Sequence, residues 1–221
     1  MRPTVLIADD HQLFAEGLRS MLSPSYEIVG IALNGRELTE LALRHKPDLI
    51  LTDVSMPLLN GIDAMQSLAA AGLRSKFVVL TMHKDMSLAL QAFRGGAFAF
   101  VLKTASSANV LEALRVAHDG GHYLSPQFPC DLVTLLAEAA RRPVSDRGPQ
   151  LTRRQREVLQ LVAEGKTMKE IASQLNISPR TAESYKYHLM DVLAVRTGAE
   201  LVQYAVKIGL ISVHPFDTAA A

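Results

Sequence analysis

Short apolar runs alternate with helix-like segments over the first 120 residues of the chain. Five runs have the length and composition of buried strands, over residues 5–8, 26–31, 47–53, 77–81 and 98–102. The segments between them place apolar residues at helical spacing, as Phe14, Leu18 and Leu22 do. Apolar strands that alternate with helices are typical of a parallel sheet with helices on both faces. The pattern therefore predicts an α/β domain with a five-stranded parallel sheet.

The pattern becomes purely helical in the C-terminal third. Helices are predicted over residues 152–164, 169–175, 179–194 and 197–209, and the second and third have the spacing of a helix-turn-helix. Prolines and polar residues between the two patterns predict a linker that holds one short helix. We therefore divide the chain into an α/β domain (1–122), the linker (123–149), a separate all-α helix-turn-helix domain (150–212) and a tail (213–221).

Composition excludes several classes of protein. Of the 221 residues, 48% are apolar and 20% charged, which is typical of a globular protein and not of a disordered one. The single cysteine, Cys130, excludes an internal disulfide and a four-thiolate metal site. No apolar run approaches the roughly 18 residues of a membrane span, and the first residues resemble a strand more than a signal peptide. We expect a cytoplasmic protein with no membrane partner.

Polar side chains follow four of the predicted strands. Asp9 and Asp10 follow the first strand, Asp53 ends the third, Thr81 ends the fourth and Lys103 follows the fifth. A single aspartate after a strand is usually a turn former or helix cap, but the carboxyl ends of parallel strands meet at one edge of the sheet. Such a cluster suits phosphoryl transfer to a carboxylate. Asp9 and Asp10 would bind Mg²⁺, Asp53 would be the nucleophile, Lys103 would neutralise the added charge and Thr81 would hydrogen-bond a phosphoryl oxygen.

Four motifs in this half resemble the receiver domain of two-component response regulators, over about residues 3–120. They are Ala8-Asp9-Asp10-His11, Asp53-Val54-Ser55-Met56-Pro57 with Asn60-Gly61, Leu80-Thr81-Met82, and Gly96-Ala97 before Lys103. The resemblance implies a flavodoxin-like fold, a sensor histidine kinase as phosphodonor and Mg²⁺ as cofactor. It also implies that Asp53 and the backbone carbonyl of Ser55 join the metal ligands, and that Phe100 is the switch aromatic that responds with Thr81.

The C-terminal third resembles the LuxR-type DNA-binding domain, over about residues 150–212. The resemblance rests on residues 151–159, 165–172, 177–183 and 199–202. A receiver followed by this domain is the arrangement of NarL/FixJ-family response regulators. It implies that the helix over residues 179–194 contacts double-stranded DNA.

The outward side of this helix carries few cations. We expect phosphate contacts from Arg180 and Lys186, a base contact from Glu183, and a contact of Tyr187 with either a base or a phosphate. The complete predicted set of DNA-contact residues is Lys166, Lys169, Arg180, Thr181, Glu183, Ser184, Lys186 and Tyr187. Because the cations are few, two domains on paired half-sites are expected.

The sequence thus predicts a transcription regulator rather than an enzyme, in which phosphorylation of Asp53 controls homodimerisation or release of the DNA-binding domain. One alternative is an aspartate-nucleophile phosphohydrolase with the same Asp-Lys-Mg²⁺ chemistry. Such enzymes usually carry a second acid two residues after the nucleophile, where this chain has Ser55. Another alternative is a receiver that acts by binding proteins and has only weak affinity for DNA.

Overall fold

A computed structural model of the protein describes residues 2–82, 84–128, 131–141, 151–208 and 210–211. The chain forms two compact units that divide between residues 143 and 144. Residues 142–149 of the predicted linker and the predicted tail, 213–221, lie outside the described residues.

Unit 1 is built on a parallel sheet with the strand order β2-β1-β3-β4-β5-β6. The strands are β1 (Thr4–Ala8), β2 (Glu27–Ala32), β3 (Leu49–Asp53), β4 (Lys76–Thr81), β5 (Ala97–Leu102) and β6 (Tyr123–Leu124). The predicted parallel α/β fold is confirmed, but the sheet has six strands rather than five. The sixth strand has only two residues, so it leaves no apolar run or alternation in the sequence.

Helices cover both faces of this sheet. Those of unit 1 are α1 (Gln12–Leu22), α2 (Gly35–His45), α3 (Gly61–Ala70), α4 (Met86–Arg94), α5 (Ser107–His118) and α6 (Leu132–Arg141). Side chains of α1 and α5 form one apolar core with one face of the sheet, and side chains of α2, α3 and α4 form the other. The inner strands β1, β3, β4 and β5 are buried on both faces, which explains why they are largely apolar.

Residues 123–141 belong to unit 1, although the sequence analysis assigns them to a linker. Strand β6 pairs with β5, and α6 packs on α4. Leu135 of α6 is buried in the core, and Leu132 and Leu136 pack against the same core. The pairing and the apolar side of α6 hold this segment on the α/β unit.

Unit 2 is all-α in its described residues. It contains α7 (Arg153–Ala163), α8 (Met168–Leu175), α9 (Pro179–Val192) and α10 (Gly198–Lys207). Asn176 ends α8 in the left-handed conformation, and the Ser178 side chain caps α9 by accepting from the Thr181 N–H. The short turn between these caps forms the helix-turn-helix. None of the described helices of either unit is long and apolar enough to cross a membrane.

Candidate functional site

The structure brings together the five polar residues that the sequence places after the strands. Asp9 follows β1, Asp53 ends β3, Thr81 ends β4, and the Lys103 N–H donates to the Thr81 carbonyl oxygen at 2.8 Å. Strand pairing aligns Asp53 with Leu80 and Thr81 with Leu102, so these ends lie at one edge of the sheet. Asp9, Asp53 and Thr81 are all buried there.

Lys103 bridges the two buried carboxylates. Its Nζ lies 2.6 Å from Oδ2 of Asp9 and 2.8 Å from Oδ2 of Asp53, and its side chain is only 5% exposed. The ring of Phe14 on α1 lies beside the same ammonium, with its centroid 4.9 Å from Nζ. The side chain is therefore fixed over the carboxylates and not extended into solvent.

The surroundings of Asp53 make it a weaker acid than usual. Burial raises the pKa of Asp53 and the charge of Asp9 adds to the rise, whereas Lys103 and the backbone N–H of Ser55 lower it, and the net result is a pKa of about 6. Burial alone would lower the pKa of Lys103, but the adjacent Asp53 and Asp9 give a net rise. At neutral pH the site thus holds an ionised Asp53 beside a protonated Lys103, as a carboxylate nucleophile and its counter-ion require.

The same edge carries a cluster of possible metal ligands. One ligand atom each from Asp9, Asp10, His11 and Asp53 lie within 4.8 Å of one another. An acidic cluster of carboxylate oxygens is typical of a Mg²⁺ site. The sequence analysis assigned no role to His11, whose Nδ1 lies 2.9 Å from Oδ1 of Asp10. Its position directly after the two aspartates was the only available signal.

Asn60 and Gly61 fix the loop that follows Asp53. The Asn60 side chain caps α3 by accepting from the Asp63 N–H, and the Gly61 N–H donates to the Val54 carbonyl oxygen at 2.9 Å. A Cβ atom on Gly61 would lie 1.9 Å from the Asp53 carbonyl oxygen. Glycine is required because the backbone of α3 passes directly against that of Asp53.

Phe100, the predicted switch aromatic, is fully buried in β5. Strand pairing places it opposite Val79, two residues before Thr81 on β4, so Phe100 and Thr81 lie on the same face of the sheet. Its ring meets that of Phe128 edge-on, with the centroids 5.5 Å apart.

The predicted DNA-contact residues lie in unit 2. Arg180, Thr181, Glu183, Ser184 and Tyr187 are exposed on α9, Lys169 is exposed on α8, and Lys166 and Lys186 are partly buried. Two of the hydroxyls are engaged within α9, since Thr181 Oγ1 pairs with Ser178 Oγ and Ser184 Oγ donates to the Arg180 carbonyl oxygen. Ala182 and Leu189 are the buried side of the helix. The outward side of α9 is therefore available to a partner, with Lys186 at its border.

Comparison with known proteins identifies similar domains in both units. Residues 5–115 match the response regulator receiver domain, and residues 149–205 match the bacterial regulatory proteins of the luxR family.

Similar proteins extend over nearly the whole chain. The transcriptional regulatory protein DegU of Brevibacillus brevis is 31% identical, over 95% of both chains. The oxygen regulatory protein NreC of Staphylococcus carnosus is 30% identical, over 94% of this chain and 98% of its own. The response regulator RcsB in complex with DNA is 26% identical, over 93% of this chain and 98% of its own, with a TM-score of 0.54.

Proposed function

Because the chain belongs to the NarL/FixJ family of two-component response regulators, we propose that phosphorylation of Asp53 controls its activity as a DNA-binding transcription regulator. A receiver domain implies a sensor histidine kinase as partner, and a LuxR-type domain implies DNA. Both matched domains are regulatory, and no observation favours the phosphohydrolase over this family.

The observation that carries the proposal is the buried Asp53, Asp9 and Lys103 cluster. In the proposed step, an Oδ atom of Asp53 attacks the phosphorus of the donor phosphohistidine. A P–O bond forms as the P–N bond breaks, and the released imidazole takes up a proton. Lys103, already 2.8 Å from Asp53, compensates the charge of the acyl phosphate, and the Thr81 hydroxyl hydrogen-bonds one of its oxygens.

The acidic cluster fits Mg²⁺ because its ligand atoms are mostly carboxylate oxygens within a few ångströms of one another. Asp9, Asp10, Asp53 and the backbone carbonyl of Ser55 would hold the ion. When bound, Mg²⁺ would neutralise phosphoryl oxygens during the transfer.

The output of this site is a change in unit 1 that alters DNA binding by unit 2. Attraction of Thr81 to the phosphoryl group opens space on the face of the sheet that it shares with Phe100. Movement of Phe100 into that space then shifts an equilibrium that favours the homodimer or releases unit 2. The exposed side of α9 contacts double-stranded DNA through Arg180, Glu183 and Tyr187. Further contacts come from Lys186 of α9, from Lys169 of α8 and from Lys166, which precedes α8. The similarity to RcsB, whose structure contains DNA, supports this assignment.

A labelling experiment tests the phosphoacceptor. A radioactive small phosphodonor, such as acetyl phosphate, should label the wild type in the presence of Mg²⁺, and chelation of the metal should abolish the label. Asp53→Asn should remove the nucleophile and Asp10→Ala should remove a metal ligand, so neither variant should be labelled. Asp48→Asn is the matched control, because Asp48 precedes β3 at the opposite edge of the sheet and hydrogen-bonds Thr4.

Two results would contradict the proposal. Label that persists in Asp53→Asn would place the acceptor elsewhere. Steady release of phosphate from small phosphomonoesters, over many turnovers and dependent on Asp53, would favour the phosphohydrolase.

A further inference from the structure

Two buried rings connect the core of unit 1 to the segment that contains α6. Phe100 and Phe128 meet edge-on with centroids 5.5 Å apart, and both are buried, at 0% and 6% exposure. Phe128 lies between β6 and α6, so it brings this segment into direct contact with the switch aromatic of β5.

The backbone around Phe128 is also attached to β5. The Ser125 N–H donates to the Phe100 carbonyl oxygen at 3.0 Å, and the Leu102 N–H donates to Ser125 Oγ at 3.2 Å. The Phe128 N–H in turn donates to the Ser125 carbonyl oxygen at 3.1 Å. Ser125 is fully buried. Phe128 is therefore linked to Phe100 by the contact of the two rings and by the backbone hydrogen bonds through Ser125.

One side of α6 packs on the core of unit 1. Among its described residues, Leu135 is buried in the same core as Phe128 and Phe100, and Leu132, Leu136 and Ala139 pack against that core. Val133, on the other side of the helix, is 77% exposed. Among the described elements, α6 packs mainly on α4. Loss of the contact between Phe128 and Phe100 would remove one of the apolar contacts that hold this segment.

We propose that Phe128 couples the phosphorylation switch to α6, so that movement of Phe100 towards Thr81 loosens α6 from α4. This inference rests on the proposed function, because it takes phosphorylation of Asp53 as the event that moves Phe100. Phe100 and Thr81 lie on the same face of neighbouring strands, so the proposed movement of Phe100 takes place on the face of the sheet where its ring meets that of Phe128. Helix α6 is the last described element of unit 1 before the chain continues into unit 2.

Hydrogen–deuterium exchange on the full-length protein tests the coupling. Addition of acetyl phosphate and Mg²⁺ should accelerate exchange in residues 132–141 of the wild type by roughly three- to tenfold, the change expected when one aromatic pair is lost. In Phe128→Ala, exchange there should be fast without phosphodonor and should not increase further. Phe128→Leu keeps an apolar side chain in the core and should show the same loss of response even if the alanine variant is poorly folded.

Phe98→Ala is the matched control. Phe98 lies on β5 two residues before Phe100, but a register shift in the pairing of β4 with β5 interrupts the alternation of faces there, so Phe98 packs against the core on the opposite face of the sheet. Its ring stacks on His122 with centroids 5.3 Å apart. Phe98→Ala removes an aromatic side chain of the same type from β5 but leaves the contact between Phe100 and Phe128 in place. The phosphodonor response of α6 should therefore survive in Phe98→Ala.

Radiolabel on Asp53, measured in the same samples, separates failure of this inference from failure of the proposed function. A labelled wild type whose α6 exchange does not change would overturn the coupling and leave the phosphorylation intact. The same loss of response in Phe98→Ala as in Phe128→Leu would also overturn it, because the effect would then be general destabilisation. An unlabelled wild type would overturn the proposed function, and the coupling with it.

Discussion

Asp53 has a charge that the folded protein compensates only in part. Burial disfavours its ionised form and Asp9 adds a like charge, while Lys103 is shared between the two acids. The pKa of Asp53 is therefore about 6, above the 3.8 of an ordinary aspartate. The burial of this carboxylate beside Asp9 thus lowers the stability of the fold at neutral pH.

We predict that Asp53→Asn stabilises the metal-free protein at pH 8. Between pH 4 and 6 the folded wild type binds a proton that the unfolded chain has released, so its stability falls as the pH rises through this range. Asparagine has no charge to bury. The free energy of unfolding of the variant minus that of the wild type should be about 2 to 3 kcal/mol larger at pH 8 than at pH 4. Urea unfolding in a chelating buffer, from pH 4 to 8, measures this gain.

Asp48→Asn is the control, for which we expect the opposite change in stability at neutral pH. Hydrogen bonds from the Thr4 N–H and hydroxyl lower the pKa of Asp48, so its ionised form stabilises the fold. This variant should lose stability at neutral pH and the loss should shrink in acid. Equal stability of Asp53→Asn and the wild type at pH 8 would mean that Lys103 compensates Asp53 in full.

Among the helices, α9 combines an exposed side with an unusual balance of charge. Arg180 is a cation on that side, but Glu183 and Asp191 are also exposed there, and Tyr187 is 66% exposed. An acid gains nothing from a DNA phosphate, so Glu183 is compatible with DNA only beside a donor on a base edge. Specificity and affinity should therefore come from different residues of this helix.

Titrations with specific and random DNA over a series of salt concentrations should separate the two roles. Arg180→Ala and Lys186→Ala should each weaken binding to both DNAs and make the salt dependence shallower by about one unit, because each loses a phosphate contact. Glu183→Ala should mainly change which sequence is preferred. Lys207→Ala, in the last turn of α10 outside the helix-turn-helix, is the control and should have little effect. If the three α9 variants bind like the wild type, α9 does not face DNA and the alternative of a protein-binding receiver is favoured.

Strands and helices with a long pattern of apolar and polar residues could be predicted well from the sequence. Strands β1 and β3 to β5 are apolar runs that end in polar residues, so both the sheet and the edge with Asp9, Asp53 and Lys103 could be located. Strand β6 could not, because Tyr123–Leu124 is held by its pairing with β5 and not by any pattern of its own. Helix α6 has an apolar side, but periodicity does not say which surface that side packs on. The contact of Phe128 with Phe100, and the shifted pKa of Asp53, depend on residues that are distant in sequence.

At the scale of the whole molecule, the proposed function requires that a change in unit 1 alters DNA binding by unit 2. The helix-turn-helix has few cations, so a single copy can neutralise few phosphates and should bind DNA weakly. Two copies on paired half-sites would double the number of contacts, as the symmetry of helix-turn-helix dimers allows. We therefore expect phosphorylation to act by shifting an equilibrium towards paired copies and not by changing the surface of α9.

Strand β6 is the edge strand beside β5, and its pairing determines where unit 1 can be truncated. Its pairing with Ala99 and Phe100 covers the outer side of β5, whose sequence AFAFVL is wholly apolar. A fragment that stops at residue 122 would leave the amide and carbonyl groups of β5 unpaired along an apolar edge, which invites edge-to-edge association between molecules. Such a fragment should aggregate at concentrations where one that ends at residue 141 remains monomeric by light scattering. The two residues of β6 are thus expected to protect the sheet from aggregation.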